Sequence, residues 1–152
     1  MKKFQFRFKA VERVREIELD RQIREMALAQ KKVQEIEQEI RGLHERVRQE
    51  IERVRKRLGD FNHLEKDMQM ISAEFRNTIR AQIDGKRQEL MLALQAVERE
   101  RRKVVERKKK LQAMEKLHEK EKENYVQEAR QTETRELDEV SSNLWGWDPR
   151  SR

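Results

Sequence analysis

Apolar side chains recur along most of this chain at steps of mostly three and four residues, between stretches that are largely charged. Such steps place the apolar residues on one narrow stripe of an α-helix, which is buried against a second helix in a coiled coil. The first run is Leu19, Ile23, Met26, Val33, Ile36, Ile40, Leu43, Val47, Ile51, Val54 and Leu58. The second run is Leu64, Met68, Ile71, Phe75, Ile79, Ile83, Leu90, Leu94 and Val97. The pattern predicts two helices that pack along one thin seam.

The composition supports this fold class. Only 35% of the 152 residues are hydrophobic, against roughly 45–50% in a typical globular chain. Charged residues make up 44%, and one proline and four glycines leave few interruptions. Because so few apolar residues cannot fill a thick core, long paired helices are the natural solution, and we expect an all-α protein.

The segment between the two runs predicts a reversal of the chain. It reads LGDFNH, in which Gly59 is suited to end one helix and Asp60 or Asn62 to cap the next. We therefore expect helix one at about residues 5–58, a turn at about 59–63 and helix two at about 64–140. Together, residues 1–140 form a single antiparallel two-helix coiled-coil hairpin with a longer C-terminal helix. Residues 141–152 hold both tryptophans and the only proline, and we expect a flexible tail.

The hairpin also predicts a register. A turn at that place pairs residue i with roughly residue 121 minus i, so that Phe8 lies beside about Gln112. Residues 99–110 hold eight basic and two acidic side chains, and they meet residues 12–20, which hold four acidic and two basic ones. Beyond Val97 the seam thins to one member every seven residues, with Arg101 and Lys108 at the alternate positions; the members are Val104, Leu111, His118, Tyr125 and Thr132.

The N-terminus departs from the helical pattern. Phe4, Phe6 and Phe8 alternate with polar residues, which is the period of a strand, before a helical spacing begins at Val11. One interpretation is a hydrophobic staple in which Phe4 and Phe8 share a helical face and Phe6 points elsewhere. The other is that the three rings close the open end of the seam.

No arrangement of residues indicates catalysis. The chain has no phosphate-binding glycine loop, and its three histidines are far apart and lack metal-ligand spacing. Without cysteine it forms no disulfide, and no stretch is apolar enough for a signal peptide or a membrane span. The net charge of +7 is small beside 37 basic and 30 acidic residues. We predict a cytoplasmic, non-enzymatic protein with no cofactor and no metal, which acts by interaction.

Four segments resemble the FliJ family, the soluble coiled-coil component of the bacterial flagellar type III export apparatus. They are KKFQFRFKAVERVREIELDR, MQMISAEFRNTIRAQ, VERKKKLQAMEKLHEKEKENYVQEA and RELDEVSSNLW, in the same order and over nearly the whole chain. The chain departs from the family at Met68, Ile71 and Phe75, where relatives often carry tyrosines, and in the tail WGWDPRSR.

The resemblance implies a function. Family members are antiparallel two-helix hairpins that resemble the central stalk of rotary ATPases. Here this implies a stalk seated in the hexameric export ATPase ring, linked to the cytoplasmic domain of the membrane-embedded export gate and associated with export chaperones. The protein is then peripheral at the inner-membrane export apparatus, through its partners.

The resemblance also implies two sets of contact residues. Those at the ATPase are Phe6, Phe8, Leu137, Asp138 and Glu139. Those at the export gate are Ile71, Phe75, Ile79 and Gln82, although Phe75 and Ile79 are equally explained as members of the seam.

Two other functions fit the sequence. One is the related stalk protein of a virulence type III secretion system. The other is a nucleic-acid-binding coiled coil that uses Arg55-Lys56-Arg57 and Lys108-Lys109-Lys110. Interleaved acidic residues and the lack of aromatic stacking platforms near these runs disfavour nucleic acid, and we expect none as a partner.

Overall fold

Two helices make up almost all of residues 3–58 and 73–146, the part of the chain that the computed structural model describes. Helix α1 runs from Lys9 to Leu58 over 50 residues, and helix α2 runs from Ala73 to Trp145 over 73 residues. The predicted fold class is confirmed: the protein is all-α, and its two helices pair antiparallel, with the longer one at the C-terminus. The predicted turn and residues 64–72 lie outside the described residues.

Helix α1 begins later than the pattern predicted. Residues 3–8 are not helical. The amide of Lys9 donates to the carbonyl of Phe6 in a turn (3.3 Å), and the amide of Glu12 donates to the carbonyl of Phe8 (3.0 Å). The predicted start at residue 5 is wrong because the Phe6 ring packs against α2, which holds the preceding backbone away from the helix.

Helix α2 ends later than predicted. The Ser141 hydroxyl donates to the carbonyl of Leu137 (2.8 Å), and the amide of Gly146 donates to the carbonyl of Ser142 (2.9 Å). The serines therefore continue the helix, and it stops at a glycine, which is a common C-terminal residue. The predicted end at residue 140 is wrong, and residues 147–152 lie outside the described part of the chain.

The described chain falls into two compact units. The central unit comprises Asp20–Val105, and the terminal unit combines Met1–Leu19 with Glu106–Arg152. In the central unit the Gln22 amide donates to the Glu100 carboxylate, while Glu39 pairs with Lys86. Residues late in α1 therefore meet residues early in α2, which defines the antiparallel direction.

The apolar core of the central unit is small. Its buried members are Val33, Ile36, Ile79 and Ile83, all of which belong to the predicted seam. Each buried side chain of this size contributes about 1.5–3 kcal/mol relative to an exposed one. A core of this size holds the pair together in the central unit, and cross-helix polar bonds supplement it.

The cross-helix pairs scatter about the predicted register. The bond between Gln22 and Glu100 lies within one residue of it. Glu39 pairs with Lys86 and not with a residue near 82, and in the terminal unit Glu18 pairs with Arg107 (3.0 Å) and not with a residue near 103. Long charged side chains account for these two offsets of about one helical turn. The predicted meeting of acidic residues 12–20 with the basic stretch is nevertheless observed in the pair between Glu18 and Arg107.

Some residues that face the seam differ from those that the sequence pattern predicted. In the central unit Leu94 is 50% exposed, while Ala93, Val97 and Glu100 are half-buried. Arg101 and Lys108, which were predicted at alternate seam positions, are exposed. Glu100 points inward because Gln22 and Lys103 both donate to its carboxylate. The predicted seam positions of Arg101, Lys108 and Leu94 are therefore wrong. Cross-helix bonds, such as that of Gln22 with Glu100, help to determine which residues face inward.

Candidate interaction surfaces

An aromatic cluster fixes the N-terminal segment of the terminal unit. The ring of Phe6 lies flat on the imidazole of His118, with centroids 4.3 Å apart and an interplanar angle of 4°. Phe4 contacts His118 at 5.8 Å and Tyr125 at 5.6 Å, and Phe8 meets Phe6 edge-on at 6.0 Å. Residues 3–8 therefore lie against α2 through their rings.

A polar bond accompanies the stack. The Nδ1 atom of His118 lies 3.1 and 3.2 Å from the two carboxylate oxygens of Glu12, in the first turns of α1. Phe6 is 6% exposed, so it is the central ring of the cluster. The staple interpretation is wrong, since Phe6 and not Phe4 or Phe8 is the buried ring. Closure of the seam by these residues fits the observed packing.

The residues predicted to contact the ATPase do not lie together. Phe6 is buried and Phe8 is half-buried, whereas Leu137, Asp138 and Glu139 are exposed on α2. Nineteen residues separate His118 from Leu137, which is about 28 Å along a helix. These three residues therefore form a surface separate from the aromatic cluster.

The exposed end of α2 carries an apolar stripe. Every residue from Arg130 to Gly146 is exposed. Leu137, Val140 and Leu144 are 67%, 56% and 72% exposed, and their spacing of three and four places them on one helical face. The sequence analysis named Leu137 but not Val140 or Leu144, and its predicted helix end at residue 140 left Leu144 outside the helix. The same three-and-four spacing could have revealed them.

The residues predicted to contact the gate divide between two grooves of the central unit. Ile71 lies outside the described residues. Gln82 is exposed and lines a groove of about 630 Å³, which we call the glycine groove, between Gly42 and Gly85. Phe75 and Ile79 line a second groove of about 310 Å³, which we call the arginine groove. Ile79 is 5% exposed and belongs to the core, so its seam interpretation explains its burial.

Both glycines face open space. A Cβ atom added at Gly42 or Gly85 would meet nothing within 4 Å beyond its own helix. Close approach of the two helices is therefore not the reason for either glycine. Their missing side chains instead leave the glycine groove open.

Ion pairs perturb several pKa values on these surfaces. The hydrogen bonds that Lys86 donates, first to Glu39 and second to Glu89, raise the pKa of Lys86, and the bond to Glu39 lowers the pKa of Glu39. The pKa of Glu18 is lowered mainly by its hydrogen bond with Arg15, and that of Glu100 mainly by its bond with Lys103. All four groups are charged near neutral pH and fix local side-chain positions.

Within residues 3–58 and 73–146, no group of three His, Asp or Glu side chains is placed to hold a metal ion. Neither described helix has a stretch that is long and apolar enough to cross a membrane.

Two antiparallel helices with a thin seam, open grooves and an uncovered helix end define a coiled-coil protein suited to contact with other proteins. The chain matches the family model described as Flagellar FliJ protein over residues 4–148, and it therefore belongs to the FliJ family. The resemblance seen in the sequence is confirmed. Comparison with curated proteins and with solved structures gave no match. Membership in this family makes the chain a component of the flagellar export apparatus.

Proposed function

We propose that this protein is the central stalk of the flagellar export ATPase ring, that it links the ring to the export gate, and that it escorts export chaperones. The uncovered end of α2 is the observation that supports the proposed role as a stalk in the ATPase ring. Within the described chain, residues 130–146 pack against nothing, yet they present Leu137, Val140 and Leu144 on one face. A protein partner that covers this stripe fits the role of a stalk seated in a ring.

Physical chemistry supports a partner at this end. Most helical stability in proteins comes from packing an apolar face, so this uncovered end of α2 gains stability when a partner covers it. Asp138 and Glu139 lie beside the apolar stripe, and charges at the edge of an interface favour specific and rapid association. Phe8 remains one of the residues that we propose to contact the ATPase. Phe6 is buried, so its role in the same contact is to hold the N-terminal segment in place.

A charge reversal tests the ATPase contact. Asp138→Lys combined with Glu139→Lys should weaken ATPase binding and stimulation and leave helicity nearly unchanged, because exposed charges contribute little to folding. The matched control is Glu115→Lys with Glu123→Lys, which makes the same change of charge at exposed positions of the same helix. Normal stimulation by the Asp138/Glu139 variant would reject the proposed docking.

The gate contact is proposed at Phe75, Ile79 and Gln82, with Ile71 beside them in the sequence. The exposure of Gln82 and the two open grooves support it. Gln82→Ala should reduce affinity for the cytoplasmic domain of the gate with no change in melting temperature. Phe75→Ala should also reduce affinity. Ile79→Ala should lower stability by about 2–5 kcal/mol, because it creates a cavity in the core.

Binding and melting must be measured together for these variants. If Phe75→Ala and Gln82→Ala both bind the gate domain normally, the proposed contact is wrong, whatever happens to the melting temperature.

The proposed location follows from the same partners: the protein is cytoplasmic and is held at the inner membrane by the ATPase and the gate. Export chaperones complete the proposed set, and binding of purified chaperones to the full chain tests them.

A further inference from the structure

The arginine groove has an apolar floor and a cationic rim. Val47, Phe75, Ile79 and Ile83 line it, and Ile79 and Ile83 are buried. Arg76, Arg80 and Arg87 follow its edge on α2, and His44 lines it from α1. Its volume of about 310 Å³ is at the lower end of the range for ligand-binding clefts.

The rim carries positive charge that the described residues do not neutralise. Among the described residues, Asp84 is the only carboxylate lining the groove, and it lies 3.7 Å from Arg87. Arg76 and Arg80 have no ion-pair partner anywhere in residues 3–58 and 73–146, and both are exposed. They lie four residues apart, on one face of α2.

The glycine groove provides the contrast within the same unit. Its rim alternates Glu39 and Glu89 with Lys86 and Arg46, and Lys86 lies between the two carboxylates. Lys86 is thus paired inside the chain, and the two carboxylates of this rim balance its two basic side chains. The arginine groove has three arginines against one described carboxylate, so it is the one of the two with a net positive charge to attract a partner.

We propose that the arginine groove binds an acidic protein segment, which places an apolar side chain on the floor and carboxylates on Arg76 and Arg80. A guanidinium can hold a carboxylate through two parallel hydrogen bonds, and arginine is enriched at protein interfaces. The apolar floor favours a protein segment over nucleic acid, which presents phosphates and needs a continuous basic track. The inference rests on the proposed gate contact, because Phe75 and Ile79 line this groove, and it specifies the chemistry of the segment that docks there.

The test compares charge variants of the full chain for binding to the gate's cytoplasmic domain at low and high salt. Arg76→Glu combined with Arg80→Glu should weaken binding about tenfold or more. The neutral pair Arg76→Gln and Arg80→Gln should lose less. The matched control is Arg24→Glu with Lys31→Glu, at exposed positions of α1 outside either groove, and it should bind as the wild type does. Wild-type affinity should fall as salt rises.

The outcomes separate the two proposals. If the wild type binds and the Arg76/Arg80 variant binds equally well, the acidic segment is wrong and the gate contact stands. If the wild type does not bind the gate domain, the gate contact fails and this inference fails with it. If the variant loses binding to duplex DNA in a filter assay but keeps gate binding, the groove serves nucleic acid and the inference is overturned. Circular dichroism melting should be unchanged, because the substituted side chains are exposed.

Discussion

The stack of Phe6 on His118 joins the N-terminal segment to α2, and its removal has a local cost. Phe6→Ala removes the central ring of the cluster, a change that costs about 3 kcal/mol when the site does not collapse. The amides of Lys9 and Glu12, which bond to the carbonyls of Phe6 and Phe8, should then exchange about a hundredfold faster.

Hydrogen exchange followed by mass spectrometry checks this prediction. Phe4→Ala is the control, because Phe4 is only half-buried and its loss leaves the stack of Phe6 on His118 intact. It should change the exchange of the same amides less. Unchanged exchange at Lys9 and Glu12 in the Phe6 variant would mean that the segment is held by something other than this ring.

Carboxylates in ion pairs make stability depend on pH. The pKa values of Glu18, Glu39 and Glu100 lie below the ordinary value of 4.5. A carboxyl group whose pKa is lowered on folding stabilises the fold above its unfolded pKa, and this contribution is lost as pH falls through its folded pKa. We expect the melting temperature to hold from neutral pH down to about 4.5 and to decline below that.

Melting curves of wild type and of a triple variant test the source of that decline. Replacing Glu18, Glu39 and Glu100 by glutamine should lower the melting temperature at neutral pH and flatten the acid decline. The effect should be modest because solvent reaches part of each of these pairs. An undiminished decline in the triple variant would place the acid sensitivity in other carboxylates.

Individual seam residues show which parts of the core the sequence pattern could predict and which it could not. The three-and-four spacing correctly identified Val33, Ile36, Ile79 and Ile83, the apolar core of the central unit. It failed for Leu94, because it assumed that apolar residues always take the inward positions. The inward places of Glu100 and Arg107 depend on Gln22 and Glu18 across the interface, and one helix's pattern contains no information on that pairing.

At the scale of the helices, two glycines weaken the central unit. Alanine favours the helix over glycine by about 1 kcal/mol in an interior position. Since nothing lies within 4 Å of the added Cβ, Gly42→Ala and Gly85→Ala should each raise the free energy of unfolding by about that amount.

Urea unfolding measures both substitutions. Gly146→Ala is the control, because its Cβ would lie 3.3 Å from the carbonyl oxygen of Ser142 and the residue follows the end of α2. It should give no gain. Destabilisation by Gly42→Ala or Gly85→Ala would show that the backbone at that position needs glycine for a reason other than space.

The uncovered end of α2 should be the part of this helix that opens first. The seam was predicted to thin beyond Val97, but Met114, His118 and Tyr125 are still half-buried. The exposed stretch begins at Arg130. Amides in residues 130–145 should therefore exchange faster than those around Ile36 and Ile83, since few apolar contacts protect them.

Hydrogen exchange along α2 distinguishes an open end from a covered one. Equal protection of residues 130–145 and of the central core would mean that copies of the chain cover each other in solution.

The ends of both helices were the least predictable features of the fold. The Phe6 ring packs on His118 of α2, and the Ser141 hydroxyl bonds to the carbonyl of Leu137 within α2. Both contacts depend on the folded backbone, so the sequence pattern did not contain them.

At the scale of the whole molecule, the hairpin requires that α1 and α2 of one chain pair with each other. The chain has no cysteine, so introduced cysteines report this pairing without interference. Glu39→Cys with Lys86→Cys should be joined by a short bis-maleimide in the central unit, and Glu18→Cys with Arg107→Cys in the terminal unit. Both products should migrate as monomers in a denaturing gel.

A displaced pair provides the control for this experiment. Lys103 lies seventeen residues beyond Lys86, about 25 Å along α2, so Glu39→Cys with Lys103→Cys should not be joined. A joined species with the mass of two chains at Glu39 and Lys86 would show that the helices pair between copies. The stalk would then be an exchanged dimer, with two uncovered α2 ends available to the ATPase in place of one. Joining within single chains in both units would instead support one hairpin as the functional molecule.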